Sequence, residues 1–152
     1  MDIKIEKLNH NDINKFTELI WLFEDVFEMK NFKMPAEVYL RKLLEKDDFF
    51  VFVALLHNRV IGGLTSYIMH QYYSKSPLVY IFDLAVKTEH QRRGIGKMLI
   101  AGNNNYCKSV GVEAVIVQAD EVDDHAIQFY HSTGATSEKV IHFDYLLNDK
   151  TT

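Results

Sequence analysis

One cysteine, Cys107, occurs in the 152 residues. A lone cysteine closes no internal disulfide, and cytoplasm, a reducing compartment, is the expected location. Cys107 falls inside a predicted helix with no activating signature nearby, so it reads as a small packing residue. Prolines are scarce too: Pro35 and Pro77 sit at predicted element boundaries, and no linker, repeat or low-complexity tract is visible. No apolar run approaches the ~18 residues that span a bilayer, so no membrane partner is expected. The start, Met1-Asp2-Ile3-Lys4, lacks the basic-then-apolar layout of a signal peptide. Positive charge is not in excess: 17 Lys and Arg face 21 Asp and Glu, a net charge of −4. That argues against a nucleic-acid partner and mildly favours a cationic small molecule. The seven histidines show no metal-like spacing, because His125 and His131 are too far apart for neighbouring turns of one helix face; no metal is expected.

What is present suits one domain spanning 1–152, with 47% hydrophobic and 25% charged residues. Ile3, Ile5 and Leu8 suggest a first strand. Ile13, Phe16, Leu19, Ile20, Phe23 and Phe27 make one apolar helical face, with Asn11 as a candidate N-cap. A second helix is expected after Pro35, carrying Val38, Leu40, Leu43 and Leu44. The unbroken apolar run from Phe49 to Leu56 predicts a strand buried on both faces. His57-Asn58-Arg59 then turns into a strand from Val60 to about Met69. Gly62 and Gly63 within it indicate a bulge or a close backbone approach. Further elements are a strand from Leu78 to Val86, a helix from Arg93 capped by Gly111, a buried strand from Ala114 to Val117 ending at Gln118-Ala119-Asp120, a short helix closed by Gly134, and a last strand from Val140 to Leu147. The order is βααβββαβαβ, an α/β domain of mixed elements.

The segment Gln91-Arg92-Arg93-Gly94-Ile95-Gly96-Lys97 carries the chemistry. A strand, a short turn and a glycine-rich helix start form a site for phosphate. The first N–H groups of a helix have no intrahelical partners, the dipole favours an anion, and glycine lets a ligand approach the backbone. Arg92, Arg93 and Lys97 add positive charge. A dinucleotide fingerprint would need a third glycine where Leu99 stands. A Walker A loop would need Ser or Thr where Met98 stands.

The string Q-R-R-G-I-G resembles the acyl-CoA pyrophosphate loop, Q/R-x-x-G-x-G/A, of the GNAT superfamily of N-acetyltransferases. It follows Asp83-Leu84-Ala85-Val86 and precedes a strand like Ala114 to Asp120, then a helix containing Tyr130 and closing near Gly134, as in that family. The stretches Y-I-F-D-L-A-V and V-Q-A-D, the pair Asp123-Asp124 and the late H-F-D resemble the type I aminoglycoside 3-N-acetyltransferases. The resemblance implies a central, mostly antiparallel sheet splayed at an acetyl-CoA site. It implies acetyl-CoA as cosubstrate, bound by Leu84, Ala85, Val86, Gln91, Arg92, Arg93, Gly94, Ile95, Gly96 and Lys97. It further implies acetylation of the 3-amino group of an aminoglycoside, and with it antibiotic resistance.

A polycationic acceptor calls for carboxylates. Asp83, Asp120, Glu121, Asp123, Asp124 and Asp144 are the candidates, with His142 a candidate border of the pocket and equally a packed strand histidine. Asp123 is as well placed to cap the short helix as to hold a ligand. Asp83 and Asp120 interrupt or end apolar strands, where a buried carboxylate needs a partner; both are candidate catalytic residues for receiving the amine proton. Tyr130 reads either as a core aromatic or, on the resemblance, as the phenol that protonates the leaving thiolate. Two rivals stay open: an acetyltransferase for another small amine, a polyamine or a protein amine, and a non-catalytic acetyl-CoA-binding module. So does the oligomeric state, a homodimer included.

Overall fold

His57 and Asn58 both take positive φ, 50° and 63°, the backbone of a two-residue hairpin turn whose twist matches the strands it joins. The turn links β2 (Phe49–Leu56) to β3 (Arg59–Met69). The structure, a computed structural model, describes residues 2–148 and divides into two compact units between Gln118 and Ala119.

The first unit contains β1 (Ile3–Lys7), α1 (Ile13–Val26), α2 (Glu37–Glu45), β2, β3, β4 (Leu78–Val86), α3 (Ile95–Ser109) and β5 (Ala114–Val117). Its sheet has the order β1-β2-β3-β4-β5. The first four strands are antiparallel to their neighbours, and β5 is parallel to β4. The two faces of β2 are both buried. Phe49, Val51, Val53 and Leu55 pack in one cluster with Phe16, Leu19, Leu22 and Phe23 of α1 and Leu40 of α2. Phe50 and Phe52, on the opposite face by strand alternation, meet Tyr106 of α3. Asn11 does not cap α1: the N-cap position is Asp12, whose carboxylate accepts the Asn9 N–H at 2.8 Å. Val38 is exposed; Leu40 is buried and anchors α2, with Leu43 and Leu44 packed against the same cluster.

Both features expected of Gly62 and Gly63 occur. The β2–β3 register shifts at Ala54/Leu55, opposite Gly62, and a Cβ on Gly63 would lie 2.5 Å from a Leu19 methyl. Gly111 (φ 84°) ends α3 with a paired motif: its N–H donates to the Lys108 carbonyl at 3.3 Å and the Val112 N–H to the Cys107 carbonyl at 3.0 Å.

In the second unit α4 (Asp124–Ser132) ends the same way at Gly134 (φ 97°). The last strand expected from Val140 to Leu147 is not formed. Among the described residues this segment has no strand partner, and Val140, Ile141, Phe143, Tyr145, Leu146 and Leu147 are exposed. Apolar, β-favouring residues supply a preference, but a strand also needs a neighbouring edge.

Candidate functional site

β4 organises the candidate site residues of the first unit. Thr65 lies opposite Asp83 and Ser66 opposite Ile81, so Phe82 is an extra residue in β4, a bulge. Pairing with β5 covers Leu78 to Ile81 against Ala114 to Val117 and stops there. Beyond the bulge, the outer edge of β4 has no strand beside it among the described residues. The Lys87 N–H donates to the Ile61 carbonyl at 2.8 Å. By the alternation of an antiparallel ladder, the Ala85 N–H and C=O then point to β3, while those of Leu84 and Val86 point to the open edge. Pairing of β4 with β5 therefore ends at the bulge, where β5 also ends, and the rest of β4 keeps an open edge.

The loop after β4 folds back on its end, with Gln91 Nε2 donating to the Val86 carbonyl at 3.0 Å. Arg92 takes φ 62°, and Gly94 takes φ 81° as the N-cap of α3, with no side-chain cap. The first helical bond runs from the Met98 N–H to the Gly94 carbonyl at 3.1 Å. The N–H groups of Ile95, Gly96 and Lys97 precede it, as at any helix start. Nothing lies within 4 Å of where a Gly94 Cβ would stand. Ile95 is buried and anchors the turn, whereas Arg92, Arg93 and Lys97 are exposed. Backbone donors, open space and three cationic side chains fit a pyrophosphate.

Asp83 is half-buried, and burial holds its carboxyl above the usual carboxylate range. The Tyr67 phenol is also pushed up, by burial first and then by Tyr39, Asp83 and Asp48.

In the second unit the carboxylates gather at the start of α4. Asp123 is the cap, accepting the Ala126 N–H at 3.1 Å, and Asp124 lies in the first turn. Asp120 is exposed, against the expectation of a buried carboxylate, because β5 ends at Val117 and is itself a half-exposed edge rather than a buried strand. Glu121 pairs with Lys139 at 3.8 Å on the surface, and His142 Nε2 lies 2.9 Å from Asp144 Oδ1, also exposed. Tyr130 is half-buried, its ring 5.0 Å from that of Phe129. Among the described residues no group of three or more His, Cys, Asp or Glu could hold a metal ion, and no helix is long and apolar enough to cross a membrane.

Sequence reasoning missed the bulge and a row of rings leading to it. Phe16–Phe49, Phe49–Tyr67 and Tyr67–Phe82 centroids are 6.1, 5.0 and 5.8 Å apart. Their spacing in the chain, across α1, β2, β3 and β4, is set by register and leaves no local signature.

The sequence profile of the acetyltransferase (GNAT) family matches residues 13–135. No curated protein matches the chain. Among solved structures, an aminoglycoside acetyltransferase from an uncultured soil metagenomic sample, in complex with trehalose, is 56% identical, with 96% of this chain and 97% of that chain covered and a TM-score of 0.94. The structure of that enzyme in complex with sisomicin aligns at 55% identity, with the same coverage and TM-score. A second aminoglycoside acetyltransferase, also from an uncultured soil metagenomic sample, is 30% identical over 97% of this chain and 100% of that chain, with a TM-score of 0.91.

Proposed function

Because the chain belongs to the GNAT family of acetyltransferases and takes its acetyl group from acetyl-CoA, we propose that it delivers that group to an amine of an aminoglycoside, the 3-amino group being the position the sequence resemblance implies. One observation carries this reading: a relative 55% identical over 96% of the chain was crystallised with sisomicin. The same relative was also crystallised in complex with trehalose, an uncharged sugar.

The N–H groups at the start of α3, with Arg92, Arg93 and Lys97, hold the pyrophosphate, and Gln91 fixes the loop. The Leu84 and Val86 backbone groups bind the pantetheine arm much as a further strand would pair. From Val86 back to Ile81, β4 spans roughly 17 Å, so an arm laid along this edge directs its thioester towards the bulge at Phe82 and Asp83. An N–H of the same edge polarises the thioester carbonyl. The acceptor amine attacks that carbon, a C–N bond forms and the C–S bond breaks. Asp83 or Asp120 receives the amine proton, and Tyr130 gives a proton to the departing thiolate. Glu121, Asp123, Asp124, His142 and Asp144 supply acceptor contacts; for Asp123 this is in addition to its capping bond.

The test is thiol release from acetyl-CoA with a panel of aminoglycosides, polyamines and a lysine peptide, followed by NMR of the product. The expected outcome is turnover of aminoglycosides and an acetyl group on the 3-amine. In the same assay Tyr130→Phe should lower kcat with acetyl-CoA binding kept, and Asp120→Asn should slow transfer at least about tenfold, or ~1.4 kcal/mol. Turnover confined to polyamines or peptides contradicts the acceptor class, and an acetyl group elsewhere contradicts the position.

A further inference from the structure

The bulge does more than mark the end of β4–β5 pairing. In a regular strand, consecutive side chains point to opposite faces. Ser66 and Ile81 are paired, and Ser66 Oγ donates to Asn103 Oδ1 of α3 at 2.8 Å, so Ile81 faces α3. Phe82 faces the other way, its ring meeting Tyr67, which packs at a tilt against Phe49 of the α1 cluster. Alternation would return residue 83 to the α3 side. Instead Asp83 shares a face with Ala85, itself part of the α1 cluster. The extra residue thus puts a ring and a carboxylate, consecutive in sequence, on the same face at the end of the paired sheet.

The ring is held in place. Phe16 and Phe49 are 3% and 5% exposed, Tyr67 is 37% and Phe82 59%, so the row begins in the core and opens to solvent at Phe82. On its other side Phe82 meets Tyr80 edge-on at 6.1 Å, and the Tyr80 hydroxyl donates to Gln118 Oε1 at 3.1 Å.

We propose that Phe82 and Asp83 form a clamp for one amino-sugar ring of the acceptor: the Phe82 ring packs against the apolar C–H face, and the Asp83 carboxylate takes an ammonium on that same ring. The inference rests on the aminoglycoside reading above and names how this face recognises its substrate. A fixed aromatic gives contact area with little entropy loss and attracts a nearby cation. A flexible polyamine presents ammonium groups but no ring face, so the clamp selects against it.

Steady-state kinetics with sisomicin as the probe, on the full chain, test this. Phe82→Leu should raise the KM for sisomicin about three- to tenfold, the range of an aromatic or cation–π contact, and more than it lowers kcat. The KM for acetyl-CoA should stay at the parent value, and Phe82→Tyr should restore most of the loss. Saturation-transfer NMR on the parent, which needs no variant, should show sugar C–H protons receiving saturation from aromatic protons. A Phe82→Leu enzyme with the parent's KM, or no transfer from aromatic protons in the parent, overturns the clamp while leaving the acceptor class standing. A parent that turns over no aminoglycoside overturns both.

Discussion

Asp83 faces Thr65 across the ladder, half-buried, and holds its proton more tightly than an Asp in water because burial disfavours the charged form. The folded chain therefore binds this proton better than the unfolded chain does. The stability linked to it is complete below the ordinary Asp range and is lost as pH rises through the raised value. Asp83→Asn removes that loss. The variant should melt above the parent at pH 8, and the gap should narrow as pH falls towards 4. A gap independent of pH between those limits contradicts the partly desolvated carboxyl of Asp83. The residue was legible as a carboxylate interrupting an apolar strand. Its side-by-side placement with Phe82 was not, because a bulge exists only relative to the partner strand. Cys107 behaves as its sequence context implied: it is buried, and burial pushes its thiol up to about 11, which keeps it protonated and inert at neutral pH.

At the scale of elements, α1 sits where it does because β3 lets it approach. A Cβ on Gly63 would stand 2.5 and 2.8 Å from the two Leu19 methyls and 2.8 Å from the Phe52 carbonyl oxygen. The methyls can turn, but the backbone oxygen cannot move without shifting β2. Gly63→Ala should therefore destabilise by about 1–3 kcal/mol, the range of overpacking, measured by urea denaturation; an unchanged midpoint contradicts the close approach. Hydrogen bonds add to this seat: Arg59 Nε and the Val60 N–H both donate to Glu18 Oε2, at 2.7 and 3.2 Å. The elements that formed as expected have a signal in their own residues: the periodicity of α1, the continuous apolar run of β2, the glycines that end α3 and α4. The segment from Val140 to Leu147 shows the limit of that signal, since its residues favour a strand and only a neighbouring edge could make it one. The buried Ser66–Asn103 bond was equally hidden, as it joins residues far apart in the chain.

At the scale of the whole molecule, the proposed acetyl-CoA site joins the open edge of β4 to the start of α3. This part of the site was the most legible, because its donors are backbone groups whose positions glycine and helix start dictate locally. The proposed acceptor residues were legible only as a tally of carboxylates, whereas the row of rings and the bulge depend on sheet register. The most direct measurement is the thermal shift given by acetyl-CoA in the parent and in Gly94→Val and Gly96→Val. A ligand that binds only the folded state, at about a hundred times its Kd, adds ~2.7 kcal/mol, roughly 5–10 °C for a chain of this size. A Cβ at Gly94 meets nothing within 4 Å beyond its chain neighbours, though φ 81° strains a side chain there, so valine is expected to act on the proposed ligand's place and on the loop around it. Binding at the proposed site should give the full shift in the parent and none in either variant. Equal shifts in the parent and in both variants would contradict it.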